Sequence, residues 1–299
     1  MEKKFIVGVD LGGTKIISGI VALDGKVAGK PVEVPTKAKE PSESIVGRLI
    51  DSVREAMSAA DRSVEDVLGI GIGSPGPLDF KNGIIISPQN LPTLHGYRLK
   101  AKLADTFKIP VYVNNDANCF VLGECYFGAA RGVSMAFGIT LGTGFGCGIV
   151  IDKKIYAGAT DTAAEIDLCP YLDGNLEDYI SGRGVSRMYR ERTGKESSPP
   201  EIADRARKKD EKAIQTWEEF GSHLGTALSY AVNILDPAII IVGGSLSNAY
   251  ELFSPKMTEV LMRSINKIPQ ENIKIVKAGL GNYAGFIGAA CLVLQESRL

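Results

Sequence analysis

Residues 5–15 read Phe5-Ile6-Val7-Gly8-Val9-Asp10-Leu11-Gly12-Gly13-Thr14-Lys15, and residues 135–148 read Met135-Ala136-Phe137-Gly138-Ile139-Thr140-Leu141-Gly142-Thr143-Gly144-Phe145-Gly146-Cys147-Gly148. Each stretch is a short apolar run that ends in glycines, the pattern of a buried strand entering a tight turn. After the first, Ile16 to Leu23 reads as a second strand, Asp24-Gly25 as a hairpin turn, and Val27 onward as a third strand. After the second, Cys147 to Ile151 is a strand, Asp152-Lys153 a turn, and Ile155 a short strand. The order strand, glycine turn, strand, polar turn, strand therefore occurs twice. It is the mark of a duplicated sheet unit, one copy per lobe.

The turns carry chemistry as well as topology. Two adjacent glycines at 12 and 13 let backbone N–H groups approach an anion with no side chain in the way. Thr14 adds a hydroxyl donor and Lys15 a point charge. Asp10 closes the preceding strand, where it could hold Mg2+ through water. A lone Asp-x-Gly-Gly-Thr is equally compatible with a polar-tipped hairpin. The second loop, Thr140 to Gly148, shifts the balance toward phosphate binding through Thr143 and Gly144. It resembles a dinucleotide fingerprint only superficially, because that motif needs a helix after its glycines, and Ile149-Val150-Ile151 is strand. The P-loop pattern is also missing, since no Gly-Lys-Ser/Thr follows four residues after a glycine. Two such hairpins, one per lobe, suit a triphosphate gripped in a cleft between lobes. A third pair, Gly243-Gly244, ends the buried strand Ile239 to Val242. It suits close approach by a flat adenosine, although alone it reads as a strand-to-helix turn.

The rest of the chain fits an α/β protein. Ser42 to Ala60 has helical spacing, with Ile45, Leu49, Val53 and Met57 on one face. Val67 to Ile72 is a buried strand closed by Ser74-Pro75-Gly76-Pro77, and Val111 to Val113 is another strand. Asn115 and Asp116 are N-cap candidates for a helix over Ala117 to Phe127. Pro200 to Asn233 reads as helical, with Ala213, Trp217, Phe220, Leu224, Leu228 and Ala231 at three- and four-residue steps. Within it, Lys208-Lys209-Asp210-Glu211-Lys212 reads as a solvated helix face. Asn272 to Lys277 is a short strand and Gly285 to Leu294 a small-residue helix. With 299 residues the chain is long enough for two lobes. A net charge of −1 argues against a nucleic-acid or anionic-membrane surface. No stretch approaches the ~20 apolar residues of a membrane span. Five scattered cysteines fit reduced thiols in a cytoplasm better than a disulfide framework.

In combination and in order, Asp10 to Lys15, Gly71 to Asp79 (Gly-Ile-Gly-Ser-Pro-Gly-Pro-Leu-Asp), Asn114 to Asn118 (Asn-Asn-Asp-Ala-Asn), Gly142 to Gly148, Ala163 to Ile166 and Ile240 to Gly244 resemble the ROK sugar kinases. The resemblance runs nearly the whole length. It implies a two-lobed actin-like ATPase fold of the ribonuclease H-like type, with duplicated mixed sheets flanked by helices. It further implies a first lobe of residues 1–115 plus 284–299, a second of 116–283, and an active site between them. The implied reaction is ATP- and Mg2+-dependent phosphorylation of a sugar hydroxyl, with Asp116 as general base. Sugar contacts are implied at Asn115, Glu165, Glu177, Asn90 and Gly76. ATP and Mg2+ contacts are implied at Asp10, Gly12, Gly13, Thr14, Lys15, Thr143, Gly144, Gly243 and Gly244. The implied assembly is a homodimer.

The pattern breaks at one place. Such kinases continue the Glu motif as Glu-Ile-Gly-His and then carry a zinc-binding cysteine cluster. Here residues 165–177 read Glu165-Ile166-Asp167-Leu168-Cys169-Pro170-Tyr171-Leu172-Asp173-Gly174-Asn175-Leu176-Glu177. Leu168 stands in place of the His, and Cys169 alone cannot build a four-ligand site, so no zinc is expected. Packing by Leu168, Tyr171 and Leu172 is expected to hold the loop instead. The missing His leaves a hexose, an amino sugar or a cyclic polyol open as substrate. Two rival classes carry less weight. A sugar-responsive repressor of the same family needs a DNA-binding segment before Asp10. An actin-like ATPase activator needs a partner-binding extension or an iron–sulfur site.

Overall fold

In the computed structural model, which describes residues 4–297, both glycine turns join antiparallel strands. The first half runs β1 (Phe5–Leu11), β2 (Lys15–Ala22), β3 (Val27–Pro35), α1 (Ser42–Ala59), β4 (Val67–Ser74), the hairpin β5 (Leu78–Asp79) and β6 (Ile84–Ile85), α2 (Leu99–Phe107), β7 (Val111–Asn115) and α3 (Asp116–Tyr126). Next come β8 (Met135–Leu141), β9 (Phe145–Ile151), β10 (Lys154–Ile155), the hairpin β11 (Pro170–Tyr171) and β12 (Gly174–Asn175), α4 (Leu176–Ile180), α5 (Gly182–Thr193), α6 (Pro199–Arg207) and α7 (Glu211–Leu235). The chain ends with β13 (Ile239–Gly243), α8 (Tyr250–Arg263), α9 (Lys267–Asn272), β14 (Lys274–Lys277) and α10 (Ala284–Glu296).

The two main sheets repeat one strand order, β3-β2-β1-β4-β7 and β10-β9-β8-β13-β14. In each, the meander strand that precedes the glycine turn pairs in parallel with the strand on its other side, β1 with β4 and β8 with β13. The duplication read from the sequence is thus a duplication of topology, and the α/β class with helix-flanked mixed sheets holds.

Contacts divide the chain into two units. One holds the residues up to Ser134, Gly148–Ala163 and everything from Gly279 onward; the other holds Met135–Cys147 and Ala164–Ala278. The sequence reading changed lobe at residues 115/116, but α3 stays with the first unit because it packs against α10 and β4. A Cβ added to Gly288 of α10 would sit 1.9 Å from the Cys119 carbonyl oxygen of α3, so the absence of a side chain there sets the helix separation. Crossovers at 147/148 and 163/164 add to the two changes of lobe expected, at 115/116 and 283/284.

The first sheet is covered on both faces. The α1 stripe, Ile45, Leu49, Val53 and Met57, is buried as its spacing predicts and joins Val7, Val9, Ile70 and Ile72 in one core. The opposite face takes α10, whose Phe286 and Ile287 pack with Ile6, Ile17 and Val21. A Cβ on Gly8 would lie 1.9 Å from the Phe286 carbonyl oxygen, so only glycine lets α10 come so close.

In the second unit α7 is a core helix, with Ala213, Trp217, Phe220, Leu224, Leu228 and Ala231 buried, while Tyr230 and Ile234 are exposed. The expected helical tract over 200–233 is broken. Lys209 adopts φ 65°, and Asp210 caps α7 by accepting the Lys212 and Ala213 N–H groups. Lys208 to Lys212 is therefore a helix junction rather than a helix face: an aspartate able to cap outcompetes helix continuation. Asn272 likewise closes α9, and the last strand begins at Lys274. Helices α2, α4, α5 and α9 went unread because they are short or strongly polar, and α8 went unread although Phe253, Met257 and Leu261 form a buried stripe, with Pro255 inside the helix.

The loop without zinc ligands is held differently from expectation. Leu168 and Leu172 are 67% and 72% exposed. Only Tyr171 packs, with its hydroxyl 3.0 Å from His223 Nδ1 and its ring edge-on to Tyr179. Burial pushes the His223 pKa down, so a neutral imidazole partners the phenol. Among the described residues no group of three or more His, Cys, Asp or Glu is arranged to hold a metal ion.

Candidate active site

The first unit gathers Asp10, the 12–15 turn, Gly76, Asn90, Asn115 and Asp116 at the carboxyl ends of β1, β4 and β7. The parallel register carries Gly73 opposite Asn114 and Ser74 opposite Asn115, so the Gly76 loop and the start of α3 leave the sheet side by side. A Cβ on Gly76 would meet Asn115 Nδ2 at 3.5 Å. At the glycine turn, the Gly12 N–H donates to the Lys15 carbonyl at 3.0 Å, and Thr36 Oγ1 donates to the Gly12 carbonyl at 2.6 Å. Asn90 lies against this turn, since a Cβ on Gly13 would be 2.9 Å from Asn90 Cβ. Asn90, Gly13, Gly76 and Asn115 thus fall into two touching pairs. Lys15 does not stand free: its Nζ is 2.9 Å from Glu33 Oε2, an exposed pair across β2 and β3. Thr14 is exposed.

Asn115 is the N-cap of α3, its Oδ1 accepting the N–H groups of Ala117 at 2.9 Å and Asn118 at 3.2 Å. That use of Oδ1 leaves the amide N–H groups, beside Gly76, to face a ligand. Asp116 is the first helical residue, and its Oδ1 also accepts the Ala117 N–H, at 2.8 Å. Burial raises the Asp116 pKa, partly offset by the N–H groups of Ala117 and of Asp116 itself. Asp10 is raised to about 7, first by burial and then by the neighbouring Asp116 charge, with Lys15 acting the other way. Its carboxylate rests on the first turn of α10, where a Cβ on Gly285 would lie 2.3 Å from Oδ2. Two desolvated carboxylates that repel one another suit proton acceptance and a divalent cation.

The second unit gathers Thr143, Gly144, Glu177 and the Gly243-Gly244 turn. The Gly142 N–H donates to the Gly144 carbonyl at 2.9 Å, and the Gly142 carbonyl accepts the Gly182 N–H at 2.8 Å, which ties the hairpin to the start of α5. Gly244, at φ 80°, lies on the Leu141 backbone, where any Cβ would be 2.3 Å from the carbonyl oxygen. Gly244 is therefore required by backbone approach within the protein, and the turn delivers Ser245 and Leu246 to a cavity of about 500 Å³ that Gly142 and Thr143 also line. That volume suits a nucleoside. Its other walls come from α5, α6 and α7, including Arg183, Pro199, Asp204 and Trp217. Trp217 is fully buried, and its indole N–H has no partner among the described residues. These wall residues were missed from sequence, where the only hint is the Pro199-Pro200 pair that opens α6.

Glu165 is exposed and near Asp167, which was also missed; burial and the Glu177 charge raise the Asp167 carboxyl pKa. Glu177 accepts the Phe145 N–H at 2.9 Å through Oε2 and pairs with Arg183 through Oε1.

The ROK family model matches residues 6–296. A glucokinase of Thermotoga maritima is 32% identical over 99% of this chain and 99% of its own length. An N-acetyl-D-glucosamine kinase of Pectobacterium atrosepticum is 32% identical over 97% of this chain and 99% of its own. A ROK family glucokinase from Streptomyces griseus, solved in complex with glucose and AMPPNP, superposes with a TM-score of 0.83 at 30% identity, covering 97% of this chain and 99% of that one. On the strength of a family match that spans nearly all of its sequence, the chain belongs to the ROK family.

Proposed function

We propose that this protein transfers the γ-phosphoryl group of ATP to a hydroxyl of a hexose or N-acetylhexosamine. The observation that carries the reading is the desolvated Asp116 carboxylate at the start of α3, beside Asp10 and next to an Asn115 amide that its own cap leaves available. The family membership and the glucokinase and N-acetylglucosamine kinase relatives support the same reaction. In it, Asp116 accepts the proton of the sugar hydroxyl as its oxygen forms a bond to the γ-phosphorus. The bond from that phosphorus to the bridging oxygen breaks, and ADP leaves with the electron pair. Asn115, Asn90 and Glu165 are assigned to sugar hydroxyls, with Gly76 giving the substrate room. The N–H groups at Gly13, Thr143 and Gly144 are assigned to phosphates, while the Gly12 N–H closes the turn on the Lys15 carbonyl. The base and ribose are assigned to the cavity under Ser245 and Leu246, where the unpartnered Trp217 indole N–H would meet a base acceptor.

Mg2+ fits the Asp10 carboxylate, whose charge is uncompensated except by Lys15; when bound, the ion would neutralise charge on the β- and γ-phosphates. A homodimer is proposed through the exposed Tyr230 and Ile234 of α7. A cytoplasmic setting accords with five free cysteines. No helix among the described residues is long and apolar enough to cross a membrane.

The test is ADP release across glucose, other hexoses, N-acetylhexosamines and inositols with Mg·ATP. Turnover with one hexose class is expected, and Asp116→Asn should lower kcat by roughly 10²–10⁴-fold with AMPPNP affinity nearly unchanged. Full turnover by that variant would remove Asp116 from the role of base.

A further inference from the structure

The segment from Glu165 to Glu177, both ends of which family likeness puts on the sugar, has almost no core of its own. From Leu168 to Asn175, Tyr171 and Gly174 are the residues not exposed to solvent. Its hairpin, β11 with β12, has two residues in each strand. Leu172 at the tip takes φ 52°, a region unfavourable to a residue with a Cβ. So short a ribbon does not stand alone in water. Its ends are nonetheless brought together. The Leu176 N–H donates to the Cys169 carbonyl at 3.0 Å, and the Glu177 charge reaches the Asp167 carboxyl.

One face of α7 holds the segment. The Tyr171 hydroxyl lies 3.0 Å from His223 Nδ1, and the Thr226 hydroxyl, three residues further along the helix, bonds the same phenol. Tyr179, two residues after Glu177 on α4, packs on the His223 ring at 4.9 Å and on the Tyr171 ring at 5.2 Å. Its hydroxyl pairs with Asp173 at the hairpin tip. Arg187 of α5 covers the Tyr179 ring, 4.4 Å from its centroid. Upstream, the Cys147 thiol donates to the Ala164 carbonyl at 2.7 Å. Glu165 and Asp167 thus lie between a thiol anchor and a tyrosine anchor, and Glu177 follows on a helix that rests on the same histidine.

We infer that Tyr171 and His223 are positioning residues for sugar binding: their contact, closed by Tyr179, sets where the carboxylates of the Glu165 to Glu177 segment meet the sugar. Carboxylates select a polyol by the direction of their hydrogen bonds, and a displacement of about 1 Å can cost on the order of 100-fold. Edge-on rings with a hydrogen bond at one tip supply the stiffness that the exposed hairpin lacks. Neither residue lines the cavity assigned to the nucleotide, so sugar and nucleotide binding should respond differently when the contact is lost.

This inference rests on the kinase reading, and the experiment separates the two. Tyr171→Ala, Tyr171→Phe and His223→Ala are compared with wild type by steady-state kinetics with the best sugar of the panel, by calorimetric titration with Mg·AMPPNP and by amide hydrogen exchange. Expected in Tyr171→Ala and His223→Ala is a sugar KM raised about 10- to 100-fold, with AMPPNP affinity within about threefold of wild type. Tyr171→Phe keeps the ring and loses the hydroxyl bonds, so its rise should be smaller, about threefold. Exchange should quicken at residues 166–176 and stay unchanged in the Gly142 to Gly146 hairpin. In a Glu165→Ala background, Tyr171→Ala should raise the KM by less than it does alone, since both act on one contact. An unchanged sugar KM would overturn the inference. So would full additivity with Glu165→Ala, or an AMPPNP affinity that falls as far as the sugar KM rises, the mark of general damage. If Tyr171→Ala does not fold, Tyr171→Phe carries the same split. Wild type that phosphorylates no sugar would count against the kinase reading alone; equal exchange at residues 166–176 in wild type and Tyr171→Phe would then overturn the clamp.

Discussion

At the scale of the residue, the site is governed by carboxylates taken out of water. Asp10 has a folded-state pKa of about 7 against an ordinary 3.8. Between those values the folded protein binds more protons than the unfolded chain, so the Asp10 contribution lowers stability as pH rises from about 4 to about 7. Asp10→Asn should therefore stabilise the ligand-free protein at pH 8, by on the order of a few kcal/mol, and flatten that part of its pH–stability curve. Denaturant titrations at pH 5 and pH 8 read this directly; equal effects at both pH values would refute it. Activity should move the other way, since the same variant removes the proposed Mg2+ ligand. Asp116 is raised too, so kcat/KM should fall on the acid side with an apparent pKa above the ordinary carboxylate range, a value that belongs to the Asp10–Asp116 pair. A pH–rate profile that stays flat down to pH 4.5 would contradict it.

At the scale of the element, α3 is fixed at both ends. Asn115 and Asp116 hold its first turn, and the buried Glu124 near its last accepts the N–H groups of Ala129, Gly279 and Leu280 at 2.7 to 3.0 Å. Glu124→Ala empties a buried site and removes three charge-assisted hydrogen bonds to half-exposed backbone donors, and should cost about 2 kcal/mol. A thermal melt would detect it, and a shift no larger than that of a surface substitution would dismiss this anchoring. The cap of α7 makes the useful contrast. Asp210→Ala removes an exposed N-cap bond, and about 1 kcal/mol is the expected loss with unchanged kinetics. The same elements show how far local sequence reaches. Apolar runs and glycine pairs disclosed β1, β2, β8, β9 and β13, and the stripe on α1 disclosed its buried face. The strongly polar α5, Gly-Arg-Gly-Val-Ser-Arg-Met-Tyr-Arg-Glu-Arg-Thr, disclosed nothing, because its role lies in what Gly182 and Arg183 touch.

At the scale of the whole molecule, ligand binding should be visible as stability. Binding to the folded state alone adds about 2.7 kcal/mol at a ligand concentration 100 times Kd, so Mg·AMPPNP should raise the melting temperature by several degrees. Trp217→Phe, which keeps the aromatic core and deletes the unpartnered N–H, should shrink that rise. An identical rise in both proteins would take Trp217 out of base recognition. The sequence by itself determined the duplicated strand order, the two glycine hairpins, the acid at the head of α3 and the family, because strands and turns are set by near neighbours and by periodic burial. Tertiary structure alone decided that Lys15 faces Glu33, that Gly244 serves the Leu141 backbone, that Glu177 faces the hairpin, and that α5, α6 and α7 enclose the cavity. Each of those depends on residues far apart in the chain meeting at hydrogen-bonding or van der Waals distance, and no local pattern encodes such a meeting.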